Sequence, residues 1–190
     1  QLIDWGVFHV EPKFISAWAR ARRALAQRNS LLKSAKISIP ELKVWELELA
    51  LAATELNVQR RDLITEWLPE LEQVLSQYLP SCNLSVGFYA GWDEEVDYGA
   101  LLESSRGRDR ERGFTINGPH RADLKIKSNG TAADERLSRG QLKLCACLVK
   151  LVLSRWLQGR CGLNPVFLLD DLASELDETA RQQVVEFVEI

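Results

Sequence analysis

The chain is 190 residues long, 46% hydrophobic and 27% charged, with a formal net charge of −3. That composition excludes a low-complexity polymer and allows one substantial core, or one core with a smaller satellite. No apolar run approaches the ~20 residues needed to span a bilayer and no charged-then-apolar leader opens the chain, so a cytoplasmic location is expected.

Residues 1–12 are assigned to the end of an N-terminal segment, in which His9, beside Phe8, is expected to be a packed histidine. A helix is predicted over 13–36, where Phe14, Trp18, Ala21, Leu25, Arg28 and Leu32 recur near helical spacing. Ile37-Ser38-Ile39-Pro40 ends it, because the residue before a proline avoids the helical region. A second helix is predicted over 41–77: Trp45, Leu49, Ala52, Leu56, Gln59 and Leu63 follow alternating intervals of four and three, a narrow heptad stripe. Pro69 is expected to kink or restart it. Together these two helices predict an antiparallel arm over residues 13–80.

From Asn83 the pattern changes. Leu84-Ser85-Val86-Gly87-Phe88 alternates as a strand does, as does Leu124-Lys125-Ile126-Lys127. Asn117-Gly118 and Asn129-Gly130 are turn signals, and a basic loop is expected over 106–112 between these elements. A long apolar helix is predicted from about Arg139 to Leu157. Pro165-Val166-Phe167-Leu168-Leu169 reads as a strand buried on both faces, and a last helix begins near Asp177. The fold class expected is α/β, with the arm at 13–80 and a mixed domain over 83–190.

The cysteines form no framework. Cys145 and Cys147 lie two apart in a helical run, Cys82 and Cys161 stand alone, and no Cys-x-x-Cys pair exists, so reduced thiols are expected. Charge is unevenly spread. Between Pro12 and Pro40 lie seven basic residues (Lys13, Arg20, Arg22, Arg23, Arg28, Lys33, Lys36) and no acid. A second cluster, Arg106, Arg108, Arg110 and Arg112, alternates with Asp109 and Glu111. Such runs are either solvated faces or surfaces that meet a polyanion. The polyanion reading makes Arg20, Arg22, Arg23, Arg28, Arg106, Arg108 and Arg110 candidate DNA-phosphate contacts.

Three constellations carry chemistry. Val166-Phe167-Leu168-Leu169-Asp170-Asp171 is an apolar strand ending in two carboxylates, at the sheet edge where open α/β folds bind ligands. Such oxygens suit Mg²⁺. Leu137-Ser138-Arg139-Gly140-Gln141 opens the long helix with a Ser-x-x-Gln capping box; its free N–H groups form an anion site, or it is an ordinary capped helix. Ser174-Glu175-Leu176-Asp177 follows the acidic pair, with Asp177 placed to cap the last helix.

In this order the three resemble the signature, Walker B and D-loop of ABC ATPases. Within that superfamily the chain resembles the RecF family over nearly its whole length, through Leu2-Ile3-Asp4-Trp5-Gly6-Val7-Phe8-His9-Val10-Glu11-Pro12, Gln27-Arg28-Asn29-Ser30-Leu31-Leu32 and Gly118-Pro119-His120-Arg121-Ala122-Asp123-Leu124. The resemblance implies part of an ABC/SMC-type ATPase head with a helical arm. It implies a weak ATPase that dimerises around ATP and binds DNA in recombinational repair, replication restart and the SOS response. Asp170 would hold Mg²⁺ and Asp171 would position the attacking water. Ser138, Arg139, Gly140 and Gln141 would meet the γ-phosphate on the opposite protomer, and Ser174 and Asp177 would lie across the same interface. RecO and RecR would be its partners. For His120 and Arg121 the resemblance leaves a phosphate-facing role and a structural one equally open. No Gly-x-x-x-x-Gly-Lys-Ser/Thr loop occurs in the 190 residues, and no methionine does, so the chain is expected to be an inactive piece of a longer ATPase. The alternatives are a non-catalytic SMC-like DNA clamp or scaffold and a helical protein-interaction domain.

Overall fold

The computed structural model describes residues 2–36, 38–163, 166 and 178–189. Its helices are α1 (Leu2–Val10), α2 (Phe14–Lys33), α3 (Ile39–Tyr78), α4 (Tyr98–Arg112), α5 (Ala133–Arg136), α6 (Arg139–Cys161) and α7 (Glu178–Glu189). Three strands, β1 (Leu84–Tyr89), β2 (Asp123–Ser128) and β3 (Thr131–Ala132), form a sheet in the order β1-β2-β3. The chain divides into two compact units, one of residues 1–10, 63–87 and 124–190, the other of residues 11–62 and 88–123. Residues 88–123, expected with the mixed domain, thus group with the arm.

In the arm unit α2 buries Phe14, Ala17, Ala21, Ala24, Arg28 and Leu32, one face at intervals of three and four. Arg20 meets Glu55 and Glu48, whereas Arg28, two turns further on, meets Glu46. The two long helices therefore run antiparallel, as their patterns predicted. The expected basic loop over 106–112 is instead the second half of α4. Asp97 caps this helix, its carboxylate accepting from the Ala100 N–H at 2.8 Å. Gly113, with φ of 74°, ends it. The buried side of α4 is Tyr98, Leu102, Ser105 and Asp109, so half of its anchoring face is polar and the sequence shows no apolar stripe.

The other unit is built on α6, which buries Leu144, Leu148, Val152, Leu153 and Leu157 among others. Each fully buried leucine stabilises the fold by about 2 kcal/mol. Here α1 packs on α6 through Ile3, Gly6 and Val7. A side chain at Gly6 would lie 2.8 Å from the Leu63 Cδ1 and 3.2 Å from the Leu153 Cδ1, so a larger residue there would require these leucine ends to shift. In α7, Phe187 lies edge-on to Tyr78 at 5.9 Å, with the Arg155 guanidinium 4.3 Å over its ring. Arg155 also donates to Glu70 at 2.8 Å. β2 and β3 form an antiparallel hairpin in the register Ser128↔Thr131. Its two-residue turn is Asn129-Gly130, with φ of 50° and 80°, the primed geometry that an Asn-Gly pair favours.

α3 is one helix of 40 residues that continues through the exposed Pro69. Leu71, Val74 and Leu75, buried just beyond the proline, hold the next turn in place against the missing hydrogen bond. His9 packs as expected, its ring edge-on to Trp5 and Phe8. Cys82, Cys145 and Cys147 are buried and Cys161 is exposed; all four are free thiols. Burial pushes the Cys145 thiol up to about 11 and raises that of Cys147. No described helix is long and apolar enough to cross a membrane.

Candidate functional site

Ser138 has the extended backbone of an N-cap, with φ of −65° and ψ of 161°. Its hydroxyl accepts from the Gln141 N–H at 3.2 Å, and its own N–H donates to Gln141 Oε1 at 2.9 Å. This is the reciprocal capping box read from Ser-x-x-Gln. The buried rows of α6 that begin at Leu144 fix the helix behind it, and the start itself is exposed at Ser138 and Arg139. An exposed helix start with a positive dipole end suits a phosphate oxygen. A serine hydroxyl and a glycine at the second helical position are donors and clearance of the right kind. Asp170, Asp171, Ser174 and Asp177 lie outside the described residues. Among the described residues no cluster of His, Cys, Asp and Glu could hold a metal ion.

The arginines expected to face DNA separate into two classes. Arg28 has no exposed surface. Its guanidinium donates to Glu46 at 3.2 Å, Asp109 at 2.7 Å, Thr115 Oγ at 2.7 Å and the Leu102 carbonyl at 3.0 Å. All its charge is used inside the unit, and none reaches a phosphate. Arg28 is therefore not a DNA contact. Arg20 is held by Glu48 and Glu55. Arg106 is held by Glu46, at 3.0 Å from its Nε, and by Glu103 at 2.9 Å. Carboxylate hydrogen bonds raise the pKa of both arginines. Arg22, Arg23, Arg108 and Arg110 are exposed, with Arg22 over the Trp18 ring at 5.2 Å and Arg23 over Trp45 at 5.7 Å.

The Arg28 network is the arrangement that sequence reasoning missed. Asn29 Oδ1 accepts from the Thr115 N–H at 2.8 Å and from its hydroxyl at 2.7 Å. Asp109 also takes the Ser105 hydroxyl at 3.0 Å and the Ile116 N–H at 3.1 Å. Thus the Gln-Arg-Asn-Ser block of α2 is joined at Thr115 to the turn leading into Gly-Pro-His-Arg. That block is clamped in its own right. Tyr98 donates to the Asn117 carbonyl at 2.9 Å, Arg60 to the Pro119 carbonyl at 3.0 Å, and the Gly118 N–H to the Gly91 carbonyl at 2.9 Å. His120 Nε2 lies 3.2 Å from the Thr115 carbonyl, and burial lowers its pKa. Arg121 is exposed. The signal available in the sequence was the recurrence of uncommon polar residues in two short blocks, which spacing alone could not pair.

No family model matches the chain. It is 42% identical over 186 residues to the "DNA replication and repair protein RecF" of Aliivibrio fischeri (strain MJ11), a match that covers 98% of this chain and 52% of the relative. The protein of the same name from Vibrio vulnificus (strain YJ016) is 42% identical over 184 residues, 97% of this chain and 51% of its own length. Among solved structures, "Structure of the recombination mediator protein RecF-ATP in RecFOR pathway" superposes with a TM-score of 0.80 at 24% identity, over 98% of this chain and 53% of that one. A second, described as RecF-ATPrS, gives 0.75 at 25% identity over 97% of this chain and 53% of that one. Superposition over 98% of the chain on the first of these shows that it has the fold of part of that protein, helix-rich with a small three-stranded sheet. The chain belongs to the RecF family of DNA replication and repair proteins. It spans about half the length of the curated relatives it matches.

Proposed function

We propose that this chain supplies the signature helix and the arm of a RecF-type ATPase, which closes as a dimer around ATP on DNA during recombinational repair and replication restart. The observation that carries this reading is the outward-facing capped start of α6 at Ser138–Gln141, in a chain whose solved relatives are described as RecF-ATP and RecF-ATPrS. Serving a nucleotide held by a second copy, the Arg139 and Gly140 N–H groups and the Ser138 hydroxyl would donate to the γ-phosphate. Gln141 keeps the serine oriented, and Gly140 leaves room for the phosphate to approach. Asp170 is assigned to bind Mg²⁺, which would neutralise charge between the terminal phosphates. Asp171 would position the attacking water, and Ser174 and Asp177 would belong to the dimer interface. Positioning and charge stabilisation of this kind are most of what phosphoryl transfer requires. RecO and RecR are the proposed partners, in the cytoplasm.

In the full-length protein Ser138→Arg should abolish ATP-dependent dimerisation, read by sedimentation velocity with and without nucleotide, at a stability cost of about 1 kcal/mol for removal of the cap. An undiminished ATP-dependent dimer would overturn the assignment. The 190-residue chain alone, which contains no Walker A sequence, should release phosphate at less than about a tenth of the full-length rate. Arg22, Arg23, Arg108 and Arg110 are the proposed phosphate contacts on DNA. Arg108→Glu with Arg110→Glu should weaken DNA binding and flatten its logarithmic salt dependence by about 0.9 for each phosphate no longer neutralised. An unchanged slope would remove this surface from the reading.

A further inference from the structure

Opposite its buried face, α3 presents a second apolar line. Val44 and Leu47 are 63% exposed, and Leu51 and Val58 are 55% exposed. Val44, Leu51 and Val58 fall seven residues apart, and Leu47 occupies the alternating position between the first two; Thr54 takes the next such position. This is the seam of a coiled coil on a surface that no second described helix covers. At 1.5 Å per residue it is about 21 Å long, roughly four turns of a partner helix.

Charge lines both edges of the seam. Glu41, Glu48, Glu55 and Asp62 follow one edge at strict heptad spacing. On the other edge the 93–103 stretch packs against α3. Asn57 donates to Glu94 at 2.7 Å, Arg61 Nε donates to the same carboxylate at 2.7 Å, and Lys43 lies 4.0 Å from Glu103. The cations near the seam are therefore already engaged, Arg20 with Glu48 and Glu55, Arg61 with Glu94, and Lys43 with Glu103. Glu41, Asp62 and the exposed Glu95 have no ion pair among the described residues.

We propose that the outward face of α3 between Glu41 and Asp62 docks a basic amphipathic helix of a partner protein, with its apolar residues in the seam and lysines or arginines against Glu41, Asp62 and Glu95 at its edges. Helix-in-groove recognition reads apolar anchors at this spacing, and charge sets which helix is accepted. Nucleic acid is repelled by the acidic borders. A second copy laid antiparallel sets Glu48 against its partner's Glu55. Laid parallel, it sets Lys43 beside a Glu48 that Arg20 already holds at 2.8 Å, so an exposed pair there adds little. The basic helix alone satisfies both the seam and its edges. This surface shares no residue with the proposed nucleotide contacts, and it stands or falls independently of that reading.

The test uses the 190-residue chain and a labelled three-heptad synthetic peptide with leucine at the seam positions and lysine at the flanks, beside an isomer with glutamate at the flanks. Fluorescence anisotropy should show the lysine peptide bound in the micromolar range and the glutamate peptide at least tenfold weaker. Leu47→Asn with Leu51→Asn should weaken binding of the lysine peptide at least tenfold while leaving the melting temperature within 2 °C, because both side chains are already exposed. Glu41→Lys with Asp62→Lys should weaken the lysine peptide and strengthen the glutamate peptide. Equal binding of the two peptides, no binding at 500 μM, or retention by the leucine variant would overturn the proposal. So would self-association that the leucine variant abolishes, which assigns the seam to a second copy, or displacement of the peptide by duplex DNA.

Discussion

Arg28 shows how one side chain can be read correctly as charged and wrongly as exposed. Its neighbours in sequence are other cations, and its carboxylate partners are 18 and 81 residues away. Only the folded unit brings them together. Removing one member of a buried charge pair leaves the other desolvated and unpaired, at a cost of about 3 to 5 kcal/mol. Arg28→Ala should lose that much in urea unfolding, whereas Arg22→Ala, on the surface, should stay within about 0.5 kcal/mol. His120 carries a second prediction. Burial lowers its folded pKa, so the unfolded chain binds the extra proton first. The stabilising contribution is therefore complete above the unfolded value near 6.5 and is lost as pH falls from there through the folded pKa. The arm unit should melt at a lower temperature at pH 5.5 than at pH 8, and His120→Gln should shrink the difference. An equal pH response in the variant would show that another group titrates.

Among the elements, the long helices and the capped start of α6 were legible because each is written locally. The arm stripes, the Asn-Gly hairpin and the Ser-x-x-Gln box all depend on residues within two turns of one another. α4 was not legible. Its buried face contains Ser105 and Asp109 in place of apolar residues, so its periodicity lies in hydrogen bonds to α2 and the turn at Thr115. The Gly-Pro-His-Arg block was visible as a motif but silent as to role. The structure gives it a clamp that depends on two glycines with positive φ, Gly91 at 103° and Gly118 at 147°. A Cβ on Gly91 would collide with the Gly118 carbonyl, and one on Gly118 with the Tyr98 hydroxyl. Gly118→Ala should therefore cost about 2 kcal/mol or more through strain and a displaced tyrosine. A change under 0.5 kcal/mol in chemical denaturation would show that the clamp yields easily.

At the scale of the whole molecule, two compact units each bury a core of their own. Damage to one should therefore be felt mostly within it, as expected for regions of separate local stability. Arg28→Ala should raise amide exchange in α2 and α4 and leave α6 nearly unchanged, a pattern that peptide-resolved hydrogen-exchange mass spectrometry would show. Uniform acceleration across all helices would mean that the units unfold as one. The arm unit also divides its surface by charge: α2 exposes Arg22 and Arg23, and the outer face of α3 is bordered by carboxylates. That division was hidden in a net charge of −3, because total charge averages over faces that a partner meets one at a time.

The unequal burial of the four thiols makes the chain self-indexing for spectroscopy. Cys161 sits exposed in the last turn of the helix that Ser138 begins, its Sγ donating to the Leu157 carbonyl at 3.0 Å. The other three are shielded, and two are further disabled by raised pKa values. Maleimide reagents at neutral pH attack the accessible thiolate, so one fluorophore per native molecule should attach there without any engineering. Intact mass should show a single adduct until denaturant is added. A reporter is thus fixed at the far end of α6, where the nucleotide-dependent association proposed above can be tested by energy transfer between copies of this chain.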